Sequence, residues 1–288
     1  MKNTEHLKGA VLGFAVGDAL GVPFEFKKRD SFTASDMVGY GTHNQPEGTW
    51  SDDSSMLFAT LDSILTNKTI DLNDIMDRFV RWFDNGEYCP YDKCFDIGHT
   101  TLTSIGRYKQ GNDPIRCGGK GFNDNGNGSL MRILPIAFIE HTVDDILNLS
   151  SLTHSHEISL MSCRLYIQLA ENLMKGTKKE DAVAKLTCCV DECENIPKIA
   201  DFPRDKIRST GYVVDTFEAA VWCLMTTENY KDCVLKAVNL GDDTDTVAAV
   251  AGGLAGIYYG IGGENGIPEE WINKLAKIEW INGLLARA

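Results

Sequence analysis

An all-α chain of ten or more helices is what this sequence predicts, on two observations. Apolar residues recur at helical spacing through almost the whole length, and the strict alternation of half-buried strands is scarce. In chain order, the first helix is expected in the apolar run GAVLGFAVGDALG from Gly9. The second is marked by Met56, Leu57, Leu61, Ile64 and Leu65, and the third by Ile75, Met76, Phe79, Val80 and Phe83. A glycine-rich stretch from Cys117 then gives way at Ser129 to the apolar LMRILPIAF, read as a helix start, and Leu165, Leu169 and Leu173 line a later stripe. DTFEAAVWCLM from Asp215, KDCVLKAVNL from Lys231 and TVAAVAGGLAG from Thr246 follow. EEWINKLAKIEWI closes the chain as one stripe, with Pro268 favouring its first turn.

Two of these segments carry glycine at every fourth position: Gly9, Gly13 and Gly17 near the start, Gly252, Gly256 and Gly260 near the end. Glycine inside a helix costs roughly 0.5–1 kcal/mol relative to alanine, so an offsetting gain is needed. Close approach of two backbones supplies one. The two segments are therefore expected to pack against each other in the core, bringing the loops at their ends together. The competing reading, that these glycines only mark helix ends, stays open at this point. No linker rich in Pro, Ser or charge divides the chain, so residues 1–288 are read as one domain.

Composition narrows the function. Twenty-eight Lys plus Arg against forty-one Asp plus Glu leave a formal charge of −13, which repels polyanions and argues against bulk nucleic-acid binding. A small anionic ligand is still allowed, because backbone N–H groups or a cation can reverse the field inside a pocket. The amino-terminal apolar run contains Asp18 and lacks a small-residue cleavage pattern after it. Neither a signal peptide nor a membrane span is expected, and the protein is placed in the cytoplasm as a monomer. Nine cysteines, with Cys163, Cys223 and Cys233 inside helical stripes, suit buried thiols in a reducing compartment. Cys188, Cys189 and Cys193 cluster without the paired CxxC spacing of a structural zinc site.

The chemistry concentrates in GTWSDDSSM from Gly48 and LGDDTDTVAAVAGGLAG from Leu240, each just ahead of an apolar helical run. Capping a helix needs one side-chain oxygen. Here Ser51, Asp52 and Asp53 crowd one helix start, and Asp242, Asp243, Asp245 and Thr246 the other. Should the strings meet, two carboxylates about 4 Å apart repel by roughly 4 kcal/mol at an effective dielectric of 20, and bound cations would relieve this. Only oxygen ligands are offered, which favours Mg²⁺ or Mn²⁺ over Zn²⁺. A pair of such ions suits hydrolysis, since it can orient substrate, activate water and stabilise a leaving group. Asp243-Thr244-Asp245-Thr246-Val247 also fits the DxDx(T/V) nucleophile string of haloacid-dehalogenase phosphatases. That string ends a strand early in its domain, whereas this one opens a helix near the end of the chain.

The segment CGGKGFNDNGNGSLMR, residues 117–132, matches neither nucleotide fingerprint. Lys120 is followed by Gly121 rather than Ser or Thr, and Gly126 and Gly128 do not complete GxGxxG. Its glycines can expose N–H donors at Asn127, Gly128 and Ser129 to an anion, although by itself the loop reads at least as well as a flexible connection.

Taken together, seven strings in order resemble the ADP-ribosylglycohydrolase family, which includes dinitrogenase reductase-activating glycohydrolase and the ADP-ribosyl-arginine and ADP-ribosyl-serine hydrolases. They are GAVLGFAVGDALGVPFEF, GTWSDDSSM, CFDIGHTT, GNGSLMR, LTHSHE, GYVVDTFEAAVW and GDDTDTVAAVAGGLAG, and they span nearly the whole chain. The resemblance implies a compact all-α domain with two Mg²⁺ or Mn²⁺ ions, cleaving the N- or O-glycosidic bond between ADP-ribose and an acceptor. Carried over by position, Ser51, Asp52, Asp53, Asp243, Asp245 and Thr246 become metal ligands, with Ser51 where Thr is common and Asp242 where Gly is frequent. Asp53 also counts among the catalytic groups. Glu25 matches the glutamate that follows the first helix near the metals, and Asp96 matches a proposed acid or base, with a helix cap as its plainer reading. Asn127, Gly128 and Ser129 become pyrophosphate and ribose contacts, while His154 and Tyr212 become substrate neighbours. For His154 a satisfied structural histidine remains the alternative, and for Tyr212 simple core packing. GYVVDTFEAAVW is closest to arginine-directed members, so an ADP-ribosylated protein or small ADP-ribose conjugate, arginine-linked first, is the expected substrate. Serine, nucleic-acid and O-acetyl-ADP-ribose conjugates, or a catalytically silent relative, are the alternatives.

Overall fold

A computed structural model describes residues 1, 3–187 and 191–288. Among the described residues twelve α-helices and several 3-10 turns account for the regular structure, with isolated bridges but no strand. The helices are α1 (Thr4–Gly21), α2 (Asp52–Asn67), α3 (Leu72–Asn85), α4 (His99–Lys109), α5 (Val143–Ser151) and α6 (Glu157–Met174). They continue as α7 (Lys179–Ala184), α8 (Val213–Met225), α9 (Tyr230–Val238), α10 (Thr244–Tyr259), α11 (Glu269–Lys274) and α12 (Ile278–Leu285).

Helices α1 and α10 form the centre and run antiparallel. A Cβ on Gly9 would lie 2.3 Å from the Gly256 carbonyl oxygen, one on Gly13 2.4 Å from that of Gly252, and one on Gly17 2.1 Å from that of Ala248. The backbones touch because no side chain stands between them, which settles the close-approach reading for Gly9, Gly13, Gly17, Gly252 and Gly256. Gly260 follows the other reading: it caps α10 with φ +72, and open space surrounds its Cβ position. Helix α1 is apolar and long enough to cross a membrane by composition alone, yet it is buried by its neighbours, as the central helix of a soluble domain is.

The contact ends where it matters for function. A Cβ on Gly21 would meet Asp245 Cα at 2.3 Å, so the carboxyl end of α1 abuts the amino end of α10. Helix α2 is fastened to the same place by Asp18. From inside α1 its buried carboxylate accepts hydrogen bonds from the Ser51 N–H at 2.9 Å, the Ser54 N–H at 3.0 Å and the Ser54 hydroxyl at 2.6 Å. The two N–H groups are backbone donors left unpaired by the helix itself, at the positive end of α2.

Two expected helices take other forms. LMRILPIAF folds as 3-10 turns over Leu130–Arg132 and Leu134–Phe138, because Pro135 has no N–H with which to continue an α-helical ladder. The final stripe breaks between α11 and α12, where Lys277 is left-handed at φ +47 and the Ala276 N–H donates to Gly48 O at 2.9 Å. Gly48, at φ +78, could carry no side chain there, since its Cβ would fall 1.8 Å from Lys274 O. The break thus gives a backbone donor to the segment that leads into Ser51. Cys188 and Cys189 lie outside the described residues; Cys89, Cys94, Cys117, Cys163, Cys223 and Cys233 are free thiols.

Candidate active site

The two acidic strings, 193 positions apart, meet at the junction of α1, α2 and α10: Thr246 Oγ1 donates to Asp53 Oδ2 at 3.1 Å. Ser51 Oγ donates to the same oxygen at 3.1 Å and caps α2 by accepting from the Asp53 N–H. Oxygens of Asp18, Asp53 and Asp245 all lie within 4.8 Å of one another, as do those of Glu25, Asp243 and Asp245. Asp52, Asp53 and Asp245 are buried, and their pKa values stand well above the ordinary carboxylate range, first through desolvation and then through neighbouring carboxylates, led by Asp53 for Asp52, Asp18 for Asp53 and Glu25 for Asp245. Asp243 is raised by burial, against hydrogen bonds from Asn127 and Thr246. Asp18 is pushed up to about 6 by burial despite its donors.

Asp53 Oδ1 and Asp245 Oδ2 are buried without a hydrogen-bond partner. An orphaned buried acceptor costs about 1–3 kcal/mol, and more when charged, so two of them in one acidic cluster call for a cation. Carboxylate and hydroxyl oxygens alone make up the donor set, and this fits a hard divalent ion.

A cleft of about 390 Å³ opens beside this centre, with Glu25, Asp52, Asp96, Asn127, Gly128, His154, Asp243 and Thr246 in its walls. Glu25 sits just past α1 against His43 Nε2. Burial pushes it up to about 8, while His43 pulls the other way and the Asp96 and Asp243 charges add to the rise. His43 is raised in turn, chiefly by its bond to Glu25. Asp96, left-handed at φ +59, brings an oxygen within 4.8 Å of the Glu25 and His43 ligand atoms. It caps no helix, since the N-cap of α4 is Gly98.

Asn127 ties the glycine loop to the acidic centre by donating from Nδ2 to Asp243 Oδ2 at 2.7 Å and to Thr216 Oγ1 at 2.9 Å. Gly128 leaves room for an imidazole: a Cβ there would lie 2.7 Å from His154 Cε1. Ser129 is fully buried, its hydroxyl lying 2.9 Å from Ser150 Oγ and 3.4 Å from Cys163 Sγ. His154 is pushed down to about 3, first by burial and then by the Arg132 charge, and is neutral. Gly211 lines the cleft, while its neighbour Tyr212 pairs through its backbone with Gly126 and half-buries its ring against the core. Asp242 is exposed; its peptide accepts from the Phe26 N–H at 2.7 Å and donates to Lys27 O at 2.9 Å, holding the Glu25 loop to the start of α10.

Sequence reasoning overlooked Asp18, His43, Arg132 and Thr153. Asp18 and Arg132 had a signal, a charge inside an apolar run; His43 and Thr153 had none.

The chain is thus an all-α domain that gathers clustered carboxylates, able to hold a metal ion, at the wall of one cleft. The chain belongs to the ADP-ribosylglycohydrolase family, whose model matches residues 1–288, and it is a glycosidic-bond hydrolase. It is 36% identical over 295 residues to ADP-ribosylarginine hydrolase Tri1 of Pseudomonas putida, with 97% of this chain and 76% of that protein covered. It is 31% identical to the ADP-ribosyl-[dinitrogen reductase] glycohydrolase of Rhodospirillum rubrum, covering 93% and 89%. A solved structure titled ADP-ribosylglycohydrolase-related protein complex superposes with a TM-score of 0.83 at 30% identity, covering 99% of this chain and 96% of that one.

Proposed function

We propose that the protein removes ADP-ribose from arginine side chains of modified protein, or from small arginine-linked conjugates, by hydrolysing the N-glycosidic bond with two Mg²⁺ or Mn²⁺ ions. The observation that carries the metal reading is the pair of orphaned oxygens, Asp53 Oδ1 and Asp245 Oδ2, in one buried acidic cluster. The acceptor follows the arginine-directed relatives at 33–36% identity. Ser51, Asp52, Asp53, Asp243, Asp245 and Thr246 would hold the ions, and the ions would supply positive charge that orients ribose hydroxyls and favours deprotonation of water.

The chain's own groups do the rest. Glu25 and Asp96, paired across His43 at the cleft wall, are placed to pass a proton to the departing guanidine nitrogen and to take one from the attacking water. Asp53 stays buried between the strings, where Ser51 and Thr246 orient it. The Asn127 N–H is spent on Gly211 O at 3.0 Å, so the peptide N–H groups of Gly128 and Ser129 are the ones that offer the pyrophosphate a cradle beside Asn127. His154 borders that cradle by its ring and Tyr212 by its peptide. With its free thiols and surplus of negative charge, the protein suits the cytoplasm, a monomeric state and a protein or small-molecule substrate rather than a polyanion. Incubating the protein and Mg²⁺ with arginine-, serine- and nucleic-acid-linked ADP-ribose tests the reading. Release from the arginine conjugate supports it, preference for another linkage reassigns the acceptor, and no release from any of them removes it.

A further inference from the structure

Arg132 has unusual surroundings for a cation. It is fully buried, faces the Phe79 ring at 4.7 Å, and has no carboxylate partner among the described residues. Its donors join the glycine loop to the segment that ends in His154: Nε to Gly128 O at 3.1 Å, Nη1 to Leu149 O at 3.4 Å, and Nη2 to Thr153 Oγ1 at 2.6 Å. Burial lowers its pKa only to about 9, so it remains charged at neutral pH.

The Thr153 hydroxyl sits between this guanidinium and His154 Nδ1, 2.8 Å away. A guanidinium can only donate, so Thr153 Oγ1 accepts on that side and has one proton to place. Among the described residues its acceptor is His154 Nδ1. A nitrogen that accepts carries no proton, so the neutral ring bears its hydrogen on Nε2. That atom makes no hydrogen bond within the described residues and lies against the glycine loop; Cβ atoms on Gly126 and Gly128 would be 3.5 and 3.4 Å from it. The peptide is held as firmly as the ring: His154 N–H donates to Ser150 O at 2.9 Å, and Ser150 Oγ donates to His154 O at 3.0 Å.

We infer that Arg132 and Thr153 are positioning residues that lock His154 in its Nε2–H tautomer, making it a fixed, neutral hydrogen-bond donor to an oxygen of the diphosphate–ribose unit. The ligand named here rests on the proposed function; the tautomer does not. A neutral donor recognises an oxygen without competing with the acidic centre for charge, and preorganisation spares the cost of choosing a tautomer on binding. The arrangement also assigns a task to the arginine in GNGSLMR: it grips the phosphate loop through Gly128 and the histidine through Thr153.

Long-range ¹H–¹⁵N correlation spectra of protein labelled at histidine nitrogen, with His154 assigned by its loss in His154→Gln, test the tautomer without any ligand. The wild type should show a pyridine-like Nδ1 and a protonated Nε2 at pH 7; a protonated Nδ1 overturns the inference. Thr153→Val should mix the tautomers and weaken binding of ADP-ribose by about tenfold, the worth of one well-placed hydrogen bond, and Thr153→Ser should restore both. Running ADP beside ADP-ribose locates the oxygen: a loss for both places it on the phosphates, a loss for ADP-ribose alone on the distal ribose. A Thr153→Val protein that is folded, by its melting profile, and keeps wild-type affinity for both refutes the donor role. The expected tautomer with no binding of either nucleotide by the wild type would instead sink the proposed function and leave the Arg132–Thr153 lock standing.

Discussion

Asp53 and Asp245 each keep one carboxylate oxygen without a donor, inside a wall of other carboxylates. Such a site is strained when empty of cations and relieved when loaded, so a substitution there should have opposite effects in the two conditions. Asp53→Asn, which removes one like charge, should melt above the wild type in chelator by a few degrees, on the order of 2–4 °C per kcal/mol of repulsion relieved. With Mg²⁺ present the order should reverse, and turnover of the variant should fall by about a hundredfold or more. Scanning calorimetry with and without Mg²⁺ decides this; equal melting shifts in both conditions would remove the cation from the account. Away from the site, Glu218 on α8 has a buried oxygen with no partner, and burial pushes its pKa from the ordinary 4.5 to about 7 against the help of Asn195. A carboxyl raised on folding binds its proton more tightly in the native state. Its contribution is therefore fully present below about pH 4.5, is lost as pH rises through 7, and stays lost above. Glu218→Gln should accordingly raise the melting temperature at pH 8 and change it little near pH 5. A difference that does not grow over that interval contradicts the assignment.

At the scale of single elements, the central helix pair converts a local penalty into a tertiary gain. Intrinsic propensity favours alanine over glycine, so Gly17→Ala would stabilise α1 in isolation. In the fold the new methyl would lie 2.1 Å from Ala248 O, on a rigid backbone that cannot step aside. Overpacking of this kind costs about 1–3 kcal/mol or more and outweighs the propensity term. Gly106 is the control: it lies within α4 with open space at its Cβ position, so Gly106→Ala should stabilise by about 0.4–1 kcal/mol. Urea titration of the pair tests whether approach or propensity governs; stabilisation by both would refute the packing argument. Gly13→Leu, facing Gly252 O and the Tyr230 ring, should leave no folded protein.

For the molecule as a whole, the α1–α10 contact, the Asp18 anchor on α2 and the bond from Ala276 to Gly48 make the acidic centre part of the core rather than an addition to its surface. Ion binding should therefore be felt globally. At a hundredfold excess over its dissociation constant, Mg²⁺ should add about 2.7 kcal/mol to the stability of the folded protein. Amide hydrogen exchange should slow throughout α1, α2 and α10, and protection confined to residues 51–53 and 243–246 would speak against this coupling.

Residue order alone determined the helical class and the two strings that carry the carboxylates; it raised the meeting of α1 with α10, which the backbone contacts then settled. Those signals are local or periodic: aspartates ahead of an apolar run, glycine at every fourth position. The splitting of the last stripe at Lys277 and the 3-10 turns in LMRILPIAF were less legible, because a break depends on which distant backbone group takes the freed donor. Only the tertiary structure decided what Asp18, His43, Arg132 and Thr153 do, and that Gly211 rather than the Tyr212 ring reaches the cleft. Periodicity says which residues are inside; it does not say which oxygen lies 2.9 Å from which nitrogen, and hydrogen-bond chemistry at a site is set by that distance and direction.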